Sequence, residues 1–291
     1  MTRRSRWALQ TLALAGVFAL GALMSRADDA ACVSCHEDYV AKFAKSRHGM
    51  TFANDKNYQG KSCSDCHGKG DAHAESGGEG KILNPGKAPA KQANAACLTC
   101  HDSNKAQSHW KGSVHETQGL KCTNCHSQHK ETAVKVSTSM PGPNPITQKC
   151  LECHRTEAKS LHQRSRHPLN EGVMSCASCH NPHGTAGEKL IKKDSVNDLC
   201  YSCHQEKRGP FLWEHSPVRE DCVTCHTPHG SNHPNLLQTR VTQLCQACHQ
   251  QGRHQSLPGL PNSVWTTNKQ CVNCHVQIHG SNHPSGPLFQ R

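Results

Sequence analysis

Five residues recur ten times in this chain, always as Cys-x-x-Cys-His. The odd copies are Cys32, Cys35 and His36; Cys97, Cys100 and His101; Cys150, Cys153 and His154; Cys200, Cys203 and His204; Cys245, Cys248 and His249. The even copies are Cys63, Cys66 and His67; Cys122, Cys125 and His126; Cys176, Cys179 and His180; Cys222, Cys225 and His226; Cys271, Cys274 and His275. Together they use all 20 cysteines, so no thiol is left for a disulfide, a nucleophile or a lipid anchor. The motif is the attachment signature of c-type haem. Its two thiols form thioethers with the vinyl groups, and its His becomes the proximal iron ligand. Zinc sites also use paired cysteines, but they do not require a His directly after the second Cys every time. A redox Cys-x-x-Cys is expected once, beside a βαβ pattern. Ten haems c is therefore the cofactor complement that the sequence implies.

That complement decides the fold class. Apolar residues are 34% of the 291 and aromatics 4%, too little for the cores that a chain of this length buries. The cofactors must supply the apolar material, at about one per 26 residues once an N-terminal leader is removed. Folding is then coupled to cofactor attachment, as in small metal-dependent domains. The expected fold is mostly irregular, with short helices over 36–48, 104–119, 155–166, 196–208 and 239–251. It has little or no β structure and is elongated, because five two-haem repeats in series each contact their neighbours. The step between odd motifs shortens from 65 residues (Cys32 to Cys97) to 45 (Cys200 to Cys245). Linkers are expected at 68–95, rich in Gly, Ala and Lys, and at 133–148, where Pro141, Pro143 and Pro145 oppose a helix. The chain divides into a leader (1–27), haems one to four (28–149) and haems five to ten (150–291).

The N-terminus sets the compartment. Arg3, Arg4 and Arg6 precede an apolar run over 8–24, and Ser25-Arg26-Ala27 offers small residues for cleavage before Asp28. This is the pattern of a secretory signal peptide. The run is at the lower limit for spanning a bilayer, and no other segment has that character. Export fits haem attachment, which occurs after translocation. The formal charge of +11 invites a nucleic-acid reading. Loss of the four arginines in 1–27 leaves +7, and twenty propionates would bring the holoprotein to about −13. Aromatic residues are not interleaved with the basic ones as in single-strand binders. No nucleic-acid partner is expected.

Electron-transfer haems are usually six-coordinate. Ten proximal His out of 24 leave fourteen. Between the motifs of a repeat a Ser/His segment recurs: SRHGM (46–50), SVHET (113–117), SRHPL (165–169) and EHSPV (214–218). After the even motif a second His follows: CHSQH (125–129), CHNPHG (179–184), CHTPHG (225–230) and CHVQIHG (274–280). The distal candidates are His48 and His73, His115 and His129, His167 and His183, His215 and His229, and His254 and His279. His73 and His254 depart from the pattern. His109, His162, His233 and His283 remain over, and Met50, Met140 and Met174 are read as packing residues. A His three residues after a proximal His lies on the same face of that haem. His129, His183 and His229 should therefore ligate haems other than their own. No catalytic residue is assigned, because a haem enzyme needs an open coordination position.

With SRHGM before CSDCHG, CHxPHG boxes and ten motifs in under 300 residues, the mature chain resembles the MtrA/DmsE family of decahaem c-type cytochromes. The resemblance runs from Cys32 to about His283. It implies a non-enzymatic electron conduit in the periplasm, associated with the outer membrane and seated in a β-barrel porin. Its partners would be periplasmic and extracellular c-type cytochromes, and its role extracellular metal or mineral reduction or Fe(II) oxidation. A barrel closes its own backbone hydrogen bonds, so the cytochrome itself need not cross lipid. The alternatives are a soluble periplasmic shuttle to a terminal reductase and a multihaem reductase. Direction of flow is not encoded.

Overall fold

The structure is a computed structural model, and it describes residues 27–130, 142–250 and 269–290. The leader, most of the 133–148 linker, His254 and Met140 lie outside the described residues. Two compact bodies are present, within Met1–Lys135 and within Val136–Arg291.

Helices are short throughout. The first body contains Ala27–Cys35, Glu37–Ala44, Arg47–Asn54, Cys63–His67, Asp71–Glu75, Ala90–His101, Val114–Thr117 and Cys122–Cys125. The helix expected over 36–48 is split at Ser46, whose Oγ accepts from the Gly49 amide and starts a new helix. Ser113 caps Val114–Thr117 the same way, accepting from Glu116. The second body contains Pro145–Leu151, Arg155–Ser160, Cys176–Cys179, Val196–Tyr201, Ser216–Glu220 and Val241–Gln246, with short 3-10 turns between them. The chain does not break at Pro145. It starts a helix there, with Pro at the first position, where its missing N–H costs nothing, and with Asn144 Oδ1 accepting from Thr147.

Among the described residues β structure is limited to four isolated antiparallel bridges: Ser165 to Ser231, His180 to Ile191, Trp213 to Ser281 and His226 to Leu237. No helix among them is long and apolar enough to cross a membrane. Among the described residues the buried apolar side chains are Ala93, Trp110 and Leu161, and the buried polar ones include Ser46, Asn94, Ser113, Thr147 and Asn197. Chain segments meet mainly around the motifs.

Candidate haem centres

Each motif is held by its own first turn. In three even motifs the residue before the second Cys accepts from the amide of the residue before the first. Asp65 Oδ2 takes the Ser62 N–H at 2.7 Å, Asn124 Oδ1 that of Lys121 at 2.7 Å, and Ser178 Oγ that of Ser175 at 3.1 Å. This satisfies an amide that a helix start leaves unpaired.

The two motifs of a repeat are then locked together. Asn94, three residues before Cys97, accepts from the Cys122 amide at 2.9 Å and donates to the Leu120 carbonyl at 3.0 Å. Asn197, three residues before Cys200, accepts from the Cys222 amide at 2.8 Å and donates to the carbonyls of Val218 and Arg219. Thr147, three before Cys150, is fully buried and lies beside the Cys176 thiol. These three residues were invisible as functional positions in the sequence. The one signal is a small polar residue at a fixed offset from an odd motif.

All twenty cysteines carry free thiols, which stand here for thioether sulfurs. The first cysteines of a repeat's two motifs hydrogen-bond each other, as Cys97 with Cys122, Cys150 with Cys176, Cys200 with Cys222 and Cys245 with Cys271. In the chain before haem attachment the contact splits their acidities. The bond from Cys150 lowers Cys176 to about 6, and that from Cys97 lowers Cys122 to about 7. Burial and the neighbouring Cys222 raise Cys200 to about 12. Second cysteines of successive repeats also influence one another, Cys66 with Cys100 and Cys225 with Cys248.

In seven pairs among the described residues a proximal imidazole faces a second imidazole. In the first body His36 faces His73 at 6.3 Å between ring centroids, His67 faces His129 at 6.0 Å, and His101 faces His48 at 5.9 Å. In the second body His180 faces His229 at 6.1 Å, His204 faces His167 at 6.3 Å, His226 faces His279 at 6.2 Å, and His249 faces His215 at 6.2 Å. Two imidazoles on one metal, each bonded at about 2 Å, put their ring centres about 6 Å apart. The residues therefore fit an iron between each pair. His129 and His229 face motifs other than their own. His109, His162, His233 and His283 are not in these seven pairs. Among the described residues no group of three or more His, Cys, Asp or Glu converges as a zinc site requires.

Backbone carbonyls fix the rings. His67 Nδ1 bonds Leu83 O at 2.8 Å, His180 Lys189 O at 2.8 Å, His226 Asn235 O at 2.7 Å and His275 Leu288 O at 2.5 Å. On the other side His73 bonds Gly80 O at 2.9 Å, His167 Pro228 O at 2.8 Å and His215 Ile278 O at 3.1 Å. A carbonyl only accepts, so Nδ1 carries the proton and Nε2 is left for metal. Lys189 and Asn235 present their carbonyls from left-handed backbone, at φ 54° and 56°. Burial pushes His48, His129, His215, His229 and His279 below the ordinary imidazole value, in the direction of the neutral form that a metal ligand needs. The box glycines are sites of close approach: a Cβ on Gly230 would run into the Ser160 carbonyl, and one on Gly280 into the Phe211 ring.

Known proteins share these features. The doubled CXXCH motif family matches residues 167–209 and 215–254, and the cytochrome c-type protein NrfB-like family matches 63–141. The multiheme cytochrome MtrA of Shewanella baltica is 39% identical over 275 residues, which cover 89% of this chain and 80% of that protein. The C-type polyheme cytochrome OmcB of Geobacter sulfurreducens is 25% identical over 180 residues, 47% of this chain and 24% of OmcB. The high-molecular-weight cytochrome c of Nitratidesulfovibrio vulgaris is 23% identical over 137 residues, 38% of this chain and 24% of its own.

Proposed function

The chain belongs to the MtrA family of multihaem c-type cytochromes, and from that premise we propose that it holds ten haems c and carries electrons between periplasmic carriers and the cell exterior, seated in an outer-membrane β-barrel. Bound haem supplies a one-electron Fe(III)/Fe(II) couple at each centre. The protein supplies attachment, two axial imidazoles per iron, and spacing.

The observation that carries this reading is the set of seven facing imidazole pairs. Two imidazoles on an iron leave no coordination position for a substrate, which favours electron transfer over catalysis. The pairs follow a rule. His48, His167 and His215 serve the odd motif of the following repeat, at His101, His204 and His249. His129, His229 and His279 serve the even motif of the preceding repeat, at His67, His180 and His226. His73 serves His36 within its own repeat. Each of the first six ligands binds two repeats to one cofactor. The thiol contacts within a repeat bring the attachment edges of two haems together, as short-range electron transfer needs. His115, His183 and His254 complete the proposed distal set.

The barrel, the cleaved leader and the periplasmic location rest on the family resemblance and on the pattern of residues 1–27. Affinity capture of the tagged holoprotein from detergent-solubilised outer membranes is expected to retain one β-barrel protein at fixed stoichiometry. If the holoprotein instead appears only in the periplasmic fraction with no barrel bound, it is a free shuttle.

A further inference from the structure

Six of the seven facing pairs share a feature: one of the two rings is tied through Nδ1 to a backbone carbonyl. For His67, His180 and His226 it is the proximal ring. For the pairs on His36, His204 and His249 it is the distal ring, on His73, His167 and His215. The seventh pair, His101 with His48, has no such bond on either ring among the described residues. The same pair has its ring planes crossed at 89°. The other two pairs of the first body are near parallel, at 8° for His36 with His73 and 22° for His67 with His129.

The cause lies in the inter-motif segment. His167 and His215 follow extended residues that bridge to Ser231 and Ser281, which sets their Nδ1 atoms against Pro228 O and Ile278 O. His48 sits instead on the helix Arg47–Asn54, capped by Ser46. The helix presents the ring without bringing a carbonyl to Nδ1.

We propose that, of the three first-body haems with facing imidazole pairs, the one on Cys97 and Cys100 has the highest potential, so that among the three it takes an electron first and releases it last. The inference rests on the two-imidazole ligation proposed above. An Nδ1–H bonded to a carbonyl makes imidazole a stronger donor and favours Fe(III). Without that bond the ferrous state gains. Parallel ring planes act on the same iron d orbital and stabilise the ferric hole, whereas crossed planes share their donation and remove that preference. Both differences act in the same direction. The step is Fe(III) plus one electron giving Fe(II), with both imidazoles neutral and bound and no proton moved. In the test the electron comes from dithionite.

Crossed axial planes also give a distinct, highly anisotropic low-spin EPR signal. In an EPR-monitored redox titration of the holoprotein, such a signal, one haem in intensity, should disappear on reduction before the rhombic low-spin signals that His73→Met and His129→Met remove. His48→Met should abolish it and bring up a thioether-to-iron charge-transfer band. His129→Met should leave it in place and remove a rhombic signal instead. The proposal is overturned if no highly anisotropic signal exists, if it titrates with or after the signals that His73→Met and His129→Met remove, or if it survives in His48→Met. High-spin iron in the wild-type holoprotein would instead sink the two-imidazole reading itself. The wild-type titration decides the order of reduction even if His48→Met does not fold.

Discussion

Asn197 makes three hydrogen bonds from a site only 8% exposed, and all three hold the even motif against the odd one. Truncation to Ala leaves the Cys222 amide and two carbonyls without their partner. A loss of about 2 kcal/mol is expected, because unmet buried polar groups carry most of their desolvation cost. Guanidinium denaturation of the holoprotein measures it, and Asn94→Ala should behave alike. Residues of this kind were hard to find in the sequence. Asn94, Thr147 and Asn197 share a place but not an identity, so they form no string of letters. The carbonyls of Leu83, Lys189, Asn235 and Leu288 are harder still, since any residue supplies one. Cys and His stood out because their chemistry is covalent or coordinative and fixed to one side chain at one spacing.

The helix Cys63–His67 shows what an element contributes. Burial of Asp65 works against ionisation, but the Lys61 ammonium at 2.9 Å and the Ser62 backbone and hydroxyl outweigh it and hold the carboxyl below its ordinary 3.8. Since the folded value is the lower one, the stabilisation is complete above the ordinary carboxylate range and is lost as pH falls through the folded value. Asp65→Ala should cost about 1 kcal/mol at neutral pH, the usual worth of a helix-start bond, and less once the wild-type carboxyl is protonated and has lost its charge beside Lys61. Asp65→Asn should keep the cap, as Asn124 does in the fourth motif, and lose the pH dependence. Denaturant midpoints of the three proteins at neutral and acid pH check both statements. At this scale the sequence was partly legible. Short helices and the absence of sustained strands follow from the lack of periodic apolar runs. Lengths did not, because caps such as Ser46 cut a helix where propensity would extend it, and Pro145 opens one. Partner choice among the histidines was not legible beyond the exclusion of His129 and His229 from their own haems. It depends on segments such as His167 and Pro228 that meet from 61 residues apart.

At the scale of the molecule, three buried apolar side chains among the described residues cannot offset the conformational entropy of ordering such a chain. Protein made without haem attachment is expected to lack cooperative unfolding by circular dichroism and to be cut rapidly by protease. Holoprotein should resist, and its intact mass should exceed that of the mature chain by ten haems. A haem-free chain that melts cooperatively would show that the polypeptide carries a core of its own. The neighbour-to-neighbour exchange of histidines has a further consequence, for how such a chain can change length. A repeat that lends one His forward and one backward, and borrows one from each side, is interchangeable with any repeat that does the same. A copy of residues from Cys200 to the end of its CHTPHG box, spliced in before Cys245 in register, would find donors and acceptors already waiting on both flanks. The first repeat is different. Its odd motif at His36 faces His73 of the same repeat, so this repeat needs no donor from a neighbour for that haem.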